Sequence, residues 1–148
     1  MREVSPFRST AWVALALVAA TLSACTAHRV PTKAQDEEVV LSLRNVGEKT
    51  LRCTILFGHW VEQGVGSIAP GAPLSIELWR QASDGALYVP RYDGRRMMIE
   101  NLICGPLTDW WTRRADVSLL PLRGGAARRY TASCAVSAQT ICGQPVAE

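Results

Sequence analysis

From Val39 onward, apolar residues recur at every second position. Val39, Leu41 and Leu43 alternate with Val40, Ser42 and Arg44, and Leu51, Cys53, Ile55 and Phe57 alternate with Arg52, Thr54 and Leu56. A period of two puts one set of side chains on each face of a strand. With residues 45–49 supplying a turn around Gly47, the two runs read as a hairpin with a shared buried face. Residues 58–66 break the rhythm and hold His59 and Trp60. Pro70-Gly71 turns the chain, and Leu74, Ile76 and Leu78 against Ser75, Glu77 and Trp79 form the next strand.

Ser83-Asp84-Gly85 and the hairpin dipeptide Asp93-Gly94 bracket a return strand over residues 87–92. Residues 96–104 are apolar on both faces, with Met97, Ile99 and Ile103 on one and Met98, Leu102 and Cys104 on the other, the pattern of a strand covered on both sides. Glu100 has no evident place in it. After Gly105-Pro106, residues 108–116 hold the one helical turn, and strands over 117–122 and 129–136 are joined through Gly124-Gly125. Turns at intervals of roughly 8 to 15 residues, with almost no helical period, predict an all-β fold: a small antiparallel β-sandwich or barrel of about seven or eight strands over residues 39–148. An immunoglobulin-like sandwich fits tryptophans lying between Cys53 and Cys104. It does not fit Leu102, which stands where such domains carry a tyrosine two residues before the second cysteine.

Ahead of the domain the pattern changes. Residues 1–10 carry Arg2 and Arg8 against Glu3, and residues 11–22 form an uncharged, Ala/Leu/Val-rich run. A bilayer-spanning helix takes about 20 apolar residues, so this shorter run reads as an export signal over residues 1–24. It closes on Leu22-Ser23-Ala24-Cys25, which resembles the lipobox of bacterial lipoproteins. The resemblance covers residues 1–25. It implies that Cys25 receives a thioether-linked diacylglycerol, that signal peptidase cleaves before it, and that the new amino terminus takes a further acyl chain such as palmitate. One chain holds a protein marginally and two or more hold it durably. In the lipoproteins it resembles, Asp after the lipidated cysteine favours the inner membrane. Thr26 stands here instead, which implies the outer membrane, facing the periplasm. Residues 25–38, which include His28, Pro31, Lys33 and the acidic run Asp36-Glu37-Glu38, read as a flexible tether.

The charge balance narrows the partners. The chain has a formal net charge of +3, and residues 25–148 keep 14 Lys and Arg against 12 Asp and Glu. That balance, with the periplasmic address, argues against nucleic acid. With Cys25 committed to lipid, Cys53, Cys104, Cys134 and Cys142 remain, and four cysteines in an oxidising compartment read as two disulfides. Three connectivities are open, and the short separation of Cys134 and Cys142 favours Cys53 to Cys104 and Cys134 to Cys142. No C-x2-C pair is present, so a thiolate metal site is not expected.

The candidate chemistry is sparse. In Asp109-Trp110-Trp111-Thr112-Arg113-Arg114, the two arginines follow Trp110 by three and four positions, which on a helical turn brings guanidinium groups over its indole. Trp and Arg dominate interface hot spots, so Trp110, Trp111, Arg113 and Arg114 form a candidate binding patch, set against a plainer reading in which one Trp caps the core. Tyr88, Arg91, Tyr92, Arg95 and Arg96 around the Asp93-Gly94 turn extend the basic, aromatic character. His59 is the one histidine of residues 39–148, and Gly-x-Ser-x-Gly, His-Glu-x-x-His and P-loop patterns are absent. The expectation is a non-enzymatic, lipid-anchored envelope protein without a cofactor or metal, binding or supporting an envelope protein or peptidoglycan. The alternative is a small envelope hydrolase or metal carrier using His59.

Overall fold

The computed structural model describes residues 36–90 and 95–148. The lipidation candidate Cys25, the leader, the tether up to residue 35 and the Asp93-Gly94 turn lie outside the described residues.

Ten strands and two short helices follow one another as β1 (Asp36–Asn45), β2 (Leu51–Phe57), β3 (Val61–Ile68), β4 (Pro73–Gln81), β5 (Leu87–Pro90), β6 (Arg96–Pro106), α1 (Trp110–Arg113), β7 (Ala115–Asp116), α2 (Leu120–Gly124), β8 (Arg129–Val136), β9 (Thr140–Cys142) and β10 (Val146–Ala147). The fold is all-β, as the alternation predicts. The hydrogen-bonded order is β10-β8-β1-β4-β5-β6-β2-β3, with β7 on β6 and β9 on β8. Strand β6 is the corner of this path. Its residues 96–98 pair β5, and its residues 99–106 pair β2. A strand that changes sheets in this way lets the two halves of the path share one core. That core joins Val39, Leu41 and Leu43 of β1, Ile76 and Leu78 of β4, and Tyr130 and Ala132 of β8 to Leu51, Ile55 and Phe57 of β2 and Ile99 and Leu102 of β6.

The bend in β6 also places Glu100. Phe57 lies opposite Ile99 but Leu56 lies opposite Asn101, so Glu100 is the extra residue of a β-bulge and is exposed. The bulge shifts the side-chain parity by one. Ile99, Leu102 and Cys104 consequently all reach the core, while Ile103 is buried on the other face, where β7 pairs the strand.

Four expectations are corrected. Strands β1 and β2 do not form a hairpin: β1 pairs β4 antiparallel and β8 in parallel, so the sheet is not purely antiparallel. Alternation specifies which face is buried but not which strand is the neighbour. Where the chain leaves β1, Asn45 is fully buried; its Nδ2 donates to the carbonyls of Lys49 and Ile68, both at 2.9 Å, and its Oδ1 accepts from the Gly47 amide at 3.0 Å. Residues 36–38 are not tether but the start of β1. Residues 61–66, read as part of an irregular stretch over 58–66, belong to the strand β3, whose exposed residues carry no alternation to detect. Residues 117–122, read as a strand, run instead into α2 (Leu120–Gly124), because Pro121 fits the first helical turn, where its missing N–H costs nothing.

The cysteines pair as Cys53–Cys104 and Cys134–Cys142. Cys53 and Cys104 are register partners on neighbouring strands with Cα atoms 4.2 Å apart, whereas an immunoglobulin-like disulfide spans two sheets. In the chain-entropy account the longer loop contributes about 4 kcal/mol and the shorter about 2.5 kcal/mol. The sulfurs of Cys104, Cys134 and Cys142 lie within 4.8 Å of one another. The two bridges therefore stack and tie the β2–β6 pair to the β8–β9 hairpin.

Candidate binding face around Trp111

Helix α1 lies against β6 at Gly105. A Cβ there would stand 3.0 Å from Trp110 Cε3 and 3.0 Å from Arg114 Cα, so only glycine admits so close an approach. The turn opens at Asp109, held at φ 59° and ψ 30°, a left-handed conformation that aspartate tolerates better than most residues. The Arg113 amide donates to the Asp109 carbonyl at 3.1 Å and closes the turn.

Strand register then decides the fate of Trp110. Arg52 of β2 is paired with Gly105, the residue on which Trp110 lies. The Arg52 guanidinium carbon accordingly sits 4.0 Å from the centroid of the Trp110 ring, and Trp110 is only 5% exposed. Arg113 turns the other way, its Nε donating to the Ala138 carbonyl at 3.1 Å and pinning α1 to the β8–β9 connection. Trp111 is 73% exposed, with the Arg114 guanidinium 4.9 Å from its ring centroid.

The patch expected at residues 110–114 thus divides. Trp110 and Arg113 hold the turn in place, and Trp111 and Arg114 face solvent. The expected stacking of Arg113 or Arg114 on Trp110 is corrected: a strand residue far away in sequence covers that ring. Nothing in the local pattern marks Arg52 for this role, because its position depends on pairing with Gly105.

Beside this turn the outward face of β2 and β3 forms a trough of about 520 Å³ bordered by Arg52, Thr54, Glu62 and Ser67. Gly64, opposite Thr54, adds no side chain to fill it. Arg52 links the trough to the Trp110 stack, and its Nε is buried without a hydrogen-bond partner. A cation with an unmet donor, polar walls and an exposed indole nearby suit binding of a polar, extended ligand.

The other arginine cluster is structural. Arg80 continues the inward series Ile76 and Leu78 and is buried. Its Nη1 donates to the Leu122 carbonyl at 2.8 Å, and its Nη2 donates to the Ala127 carbonyl at 3.1 Å and to the Glu37 carboxylate. Arg128 Nε donates to the same carboxylate at 2.8 Å. The hydrogen bonds from Arg80 and then Arg128 hold Glu37 below the ordinary carboxylate range. Burial pushes Arg80 down, and its partners, chiefly Glu37, more than offset that, so its pKa is raised. Tyr130 Oη is buried close by, against Gly125, outside hydrogen-bonding geometry. This cluster locks α2 and residue 127 onto β1 and β4. A charged residue in phase with Ile76 and Leu78 was its legible signal.

His59 sits with Trp60 at the tip of the β2–β3 hairpin. Both residues have positive φ, 64° and 63°, and Trp60 is 90% exposed. Among the described residues, the His, Cys, Asp and Glu side chains close enough to share a metal ion are Cys104, Cys134 and Cys142, all in disulfides. Around the other basic turn, Tyr88 is half-buried and Arg96 is paired with Asp36, while Arg91 and Tyr92 lie outside the described residues. No protein-family model, curated protein or solved structure matches the chain.

Proposed function

We propose that this protein is a non-enzymatic binding or structural accessory module of the bacterial envelope. In this reading a lipid on Cys25 anchors it in the outer membrane facing the periplasm, and the face around Trp111 and Arg114 meets an envelope protein or peptidoglycan. The observation that carries the reading is the division within one helical turn. A domain that buries Trp110 leaves the adjacent Trp111 in water with a cation stacked on it, and indole and guanidinium together are what partner surfaces concentrate at their centres. The lipobox pattern supports the address, and two disulfides fit an oxidising compartment.

Affinity capture from crosslinked envelopes tests the contact. The Trp111→Ala/Arg114→Ala protein is expected to lose the captured partner while keeping its circular dichroism spectrum. Unchanged capture would overturn the assignment of this face. The address is tested apart from it: Cys25→Ser is expected to abolish incorporation of labelled fatty acid and to leave the leader attached. A hydrolase or metal carrier built on His59 gains less, since the side chain stands on a hairpin tip outside the polar trough.

A further inference from the structure

The inward face of β3 is not covered along its length. In its register with β2, Val61 lies opposite Phe57, Gln63 opposite Ile55 and Ile68 opposite Leu51. All three β3 residues therefore stand on the side that faces the core. Ile68 is buried, yet Val61 is 47% exposed and Gln63 is exposed. A core-facing valine half in water marks a place where the sandwich lacks a layer.

The missing layer lies between β3 and β4. These strands are consecutive but unpaired: among the described residues β3 is bonded to β2 alone, at the end of the strand order. Strand β4 is paired with β1 along nearly its whole length, whereas on its other edge β5 takes only Trp79 and Arg80. Among the described residues, the outer edge of β3 and the β4 edge over residues 73–78 thus have no paired strand. They approach near the turn, where a Cβ on Gly66 would lie 3.2 Å from Leu74 Cδ1. Farther along, an opening of about 320 Å³ is walled by Gln63, Gly64 and Val65 on one side and Ser75, Ile76 and Glu77 on the other, with Ile55 and Val89 also lining it. Successive strand side chains point to opposite faces. A wall made of three successive residues therefore presents main chain.

The guarding is partial: Glu62 lies on β3 and Pro73 opens the β4 edge, while the stretch between Gln63 and Val65 is left without it. Edge strands are protected by Lys, Pro or a bulge that turns the edge away. Strand β3 has neither Lys nor Pro, and its bulge, with Val65 as the extra residue between Gly64 and Gly66, packs Val65 against the core at the opening. Glu77 is the one charged residue lining the opening, is exposed, and makes no ion pair among the described residues.

We propose that the opening between β3 and β4 is a strand-accepting groove, in which an extended segment of a partner protein pairs its main chain with these edges. Apolar side chains at alternate positions of that segment face Ile55, Val65, Ile76 and Val89, and a Lys or Arg faces Glu77. Recognition of this kind draws affinity from main-chain bonds and specificity from alternate side chains. The groove is separate from Trp111 and does not rest on the reading given for that residue.

The test uses the full chain in detergent and a labelled peptide of roughly eight residues alternating Ile or Val with Lys or Thr, a typical strand length. The expected result is saturable binding by fluorescence anisotropy, with slowed amide exchange at residues 63–65 and 75–77. Gln63→Trp, which fills the mouth from an exposed position, and Glu77→Lys are each expected to weaken binding by about tenfold or more. The same peptide N-methylated at alternate residues cannot form the ladder and is expected not to bind. Trp111→Ala is expected to bind the peptide normally, so failure here and failure of the Trp111 face are distinguishable. Equal binding of the N-methylated peptide, or protection elsewhere, would overturn the proposal. So would a dimer that Gln63→Trp dissociates, because the occupant would then be a second copy of this chain.

Discussion

Trp110 and Trp111 are neighbours in sequence and opposite in fate. One is sealed between Gly105 and Arg52 on the face of β2 and β6 that points away from the core, and the other stands in water with Arg114 on its ring. The same pair of residue types, aromatic and guanidinium, therefore appears twice within one turn. In the first case the cation comes from a strand distant in sequence and joins two elements; in the second it comes from the same turn and joins nothing. The difference separates what stabilises the domain from what the domain offers to others. An aromatic–cation contact has a structural role when its partners belong to different elements, and it is available for recognition when both belong to one.

Substitutions can break this comparison, beginning with the largest expected effect. Trp110→Ala removes a buried indole and is expected to cost about 4 kcal/mol in chemical denaturation. If Trp110→Ala left the midpoint unchanged, the buried ring would not help hold α1 to the sheet. Cys53→Ser acts one layer beneath, where β2 and β6 hold Arg52 opposite Gly105. Loss of the long loop is expected to cost about 4 kcal/mol. The released Cys104 thiol then lies within 4.8 Å of both remaining disulfide sulfurs. Thiol–disulfide exchange should follow, and peptide mapping should find Cys104 joined to Cys134 or Cys142. A mapping that returns only the original Cys134–Cys142 bond with Cys104 free would contradict that proximity.

The third prediction turns on pH. The carboxylate of Glu37 is held below its ordinary range in the folded domain by Arg80 and Arg128. A depressed carboxylate contributes stability above its unfolded-state pKa and loses it as pH falls through the folded value. The contribution should therefore be intact at neutral pH and disappear only on the acid side of the usual carboxylate range. Glu37→Gln is expected to flatten that part of the stability profile, whereas Arg114→Gln, on the exposed stack, should leave it unchanged. An acid limb of the same slope in Glu37→Gln would place the sensitivity elsewhere.

Much of the domain was legible where one face of a strand is wet and the other dry. The alternation of β1, β2, β4 and β8 locates them, and the double-sided apolar run of β6 reflects its cover by β7 and the core. Partner choice was not legible. Val39, Leu41 and Leu43 look the same whether their strand pairs β2 or β4, and the three hydrogen bonds that the Asn45 side chain makes after β1 are not encoded in that alternation. Strand β3 escaped because an exposed edge carries no alternation. At the candidate site the helical turn was legible from residues 109–114, while the assignment of inside and outside was not. That assignment depends on a glycine at 105 and an arginine at 52 meeting across two strands, which local spacing does not encode.

In the function proposed above, Trp111 and its stacked arginine form the surface that meets an envelope partner. Trp111→Ala should change stability by no more than about 0.5 kcal/mol, so any phenotype must arise from contact. The direct measurement is photocrosslinking in intact cells from a reactive side chain at Thr112, exposed beside Trp111, with Ala82 in the β4–β5 turn as the control position. The account predicts a discrete adduct from position 112 that disappears when Trp111 is also replaced by alanine, and none from position 82. No adduct from position 112, or one that survives Trp111→Ala, would contradict it.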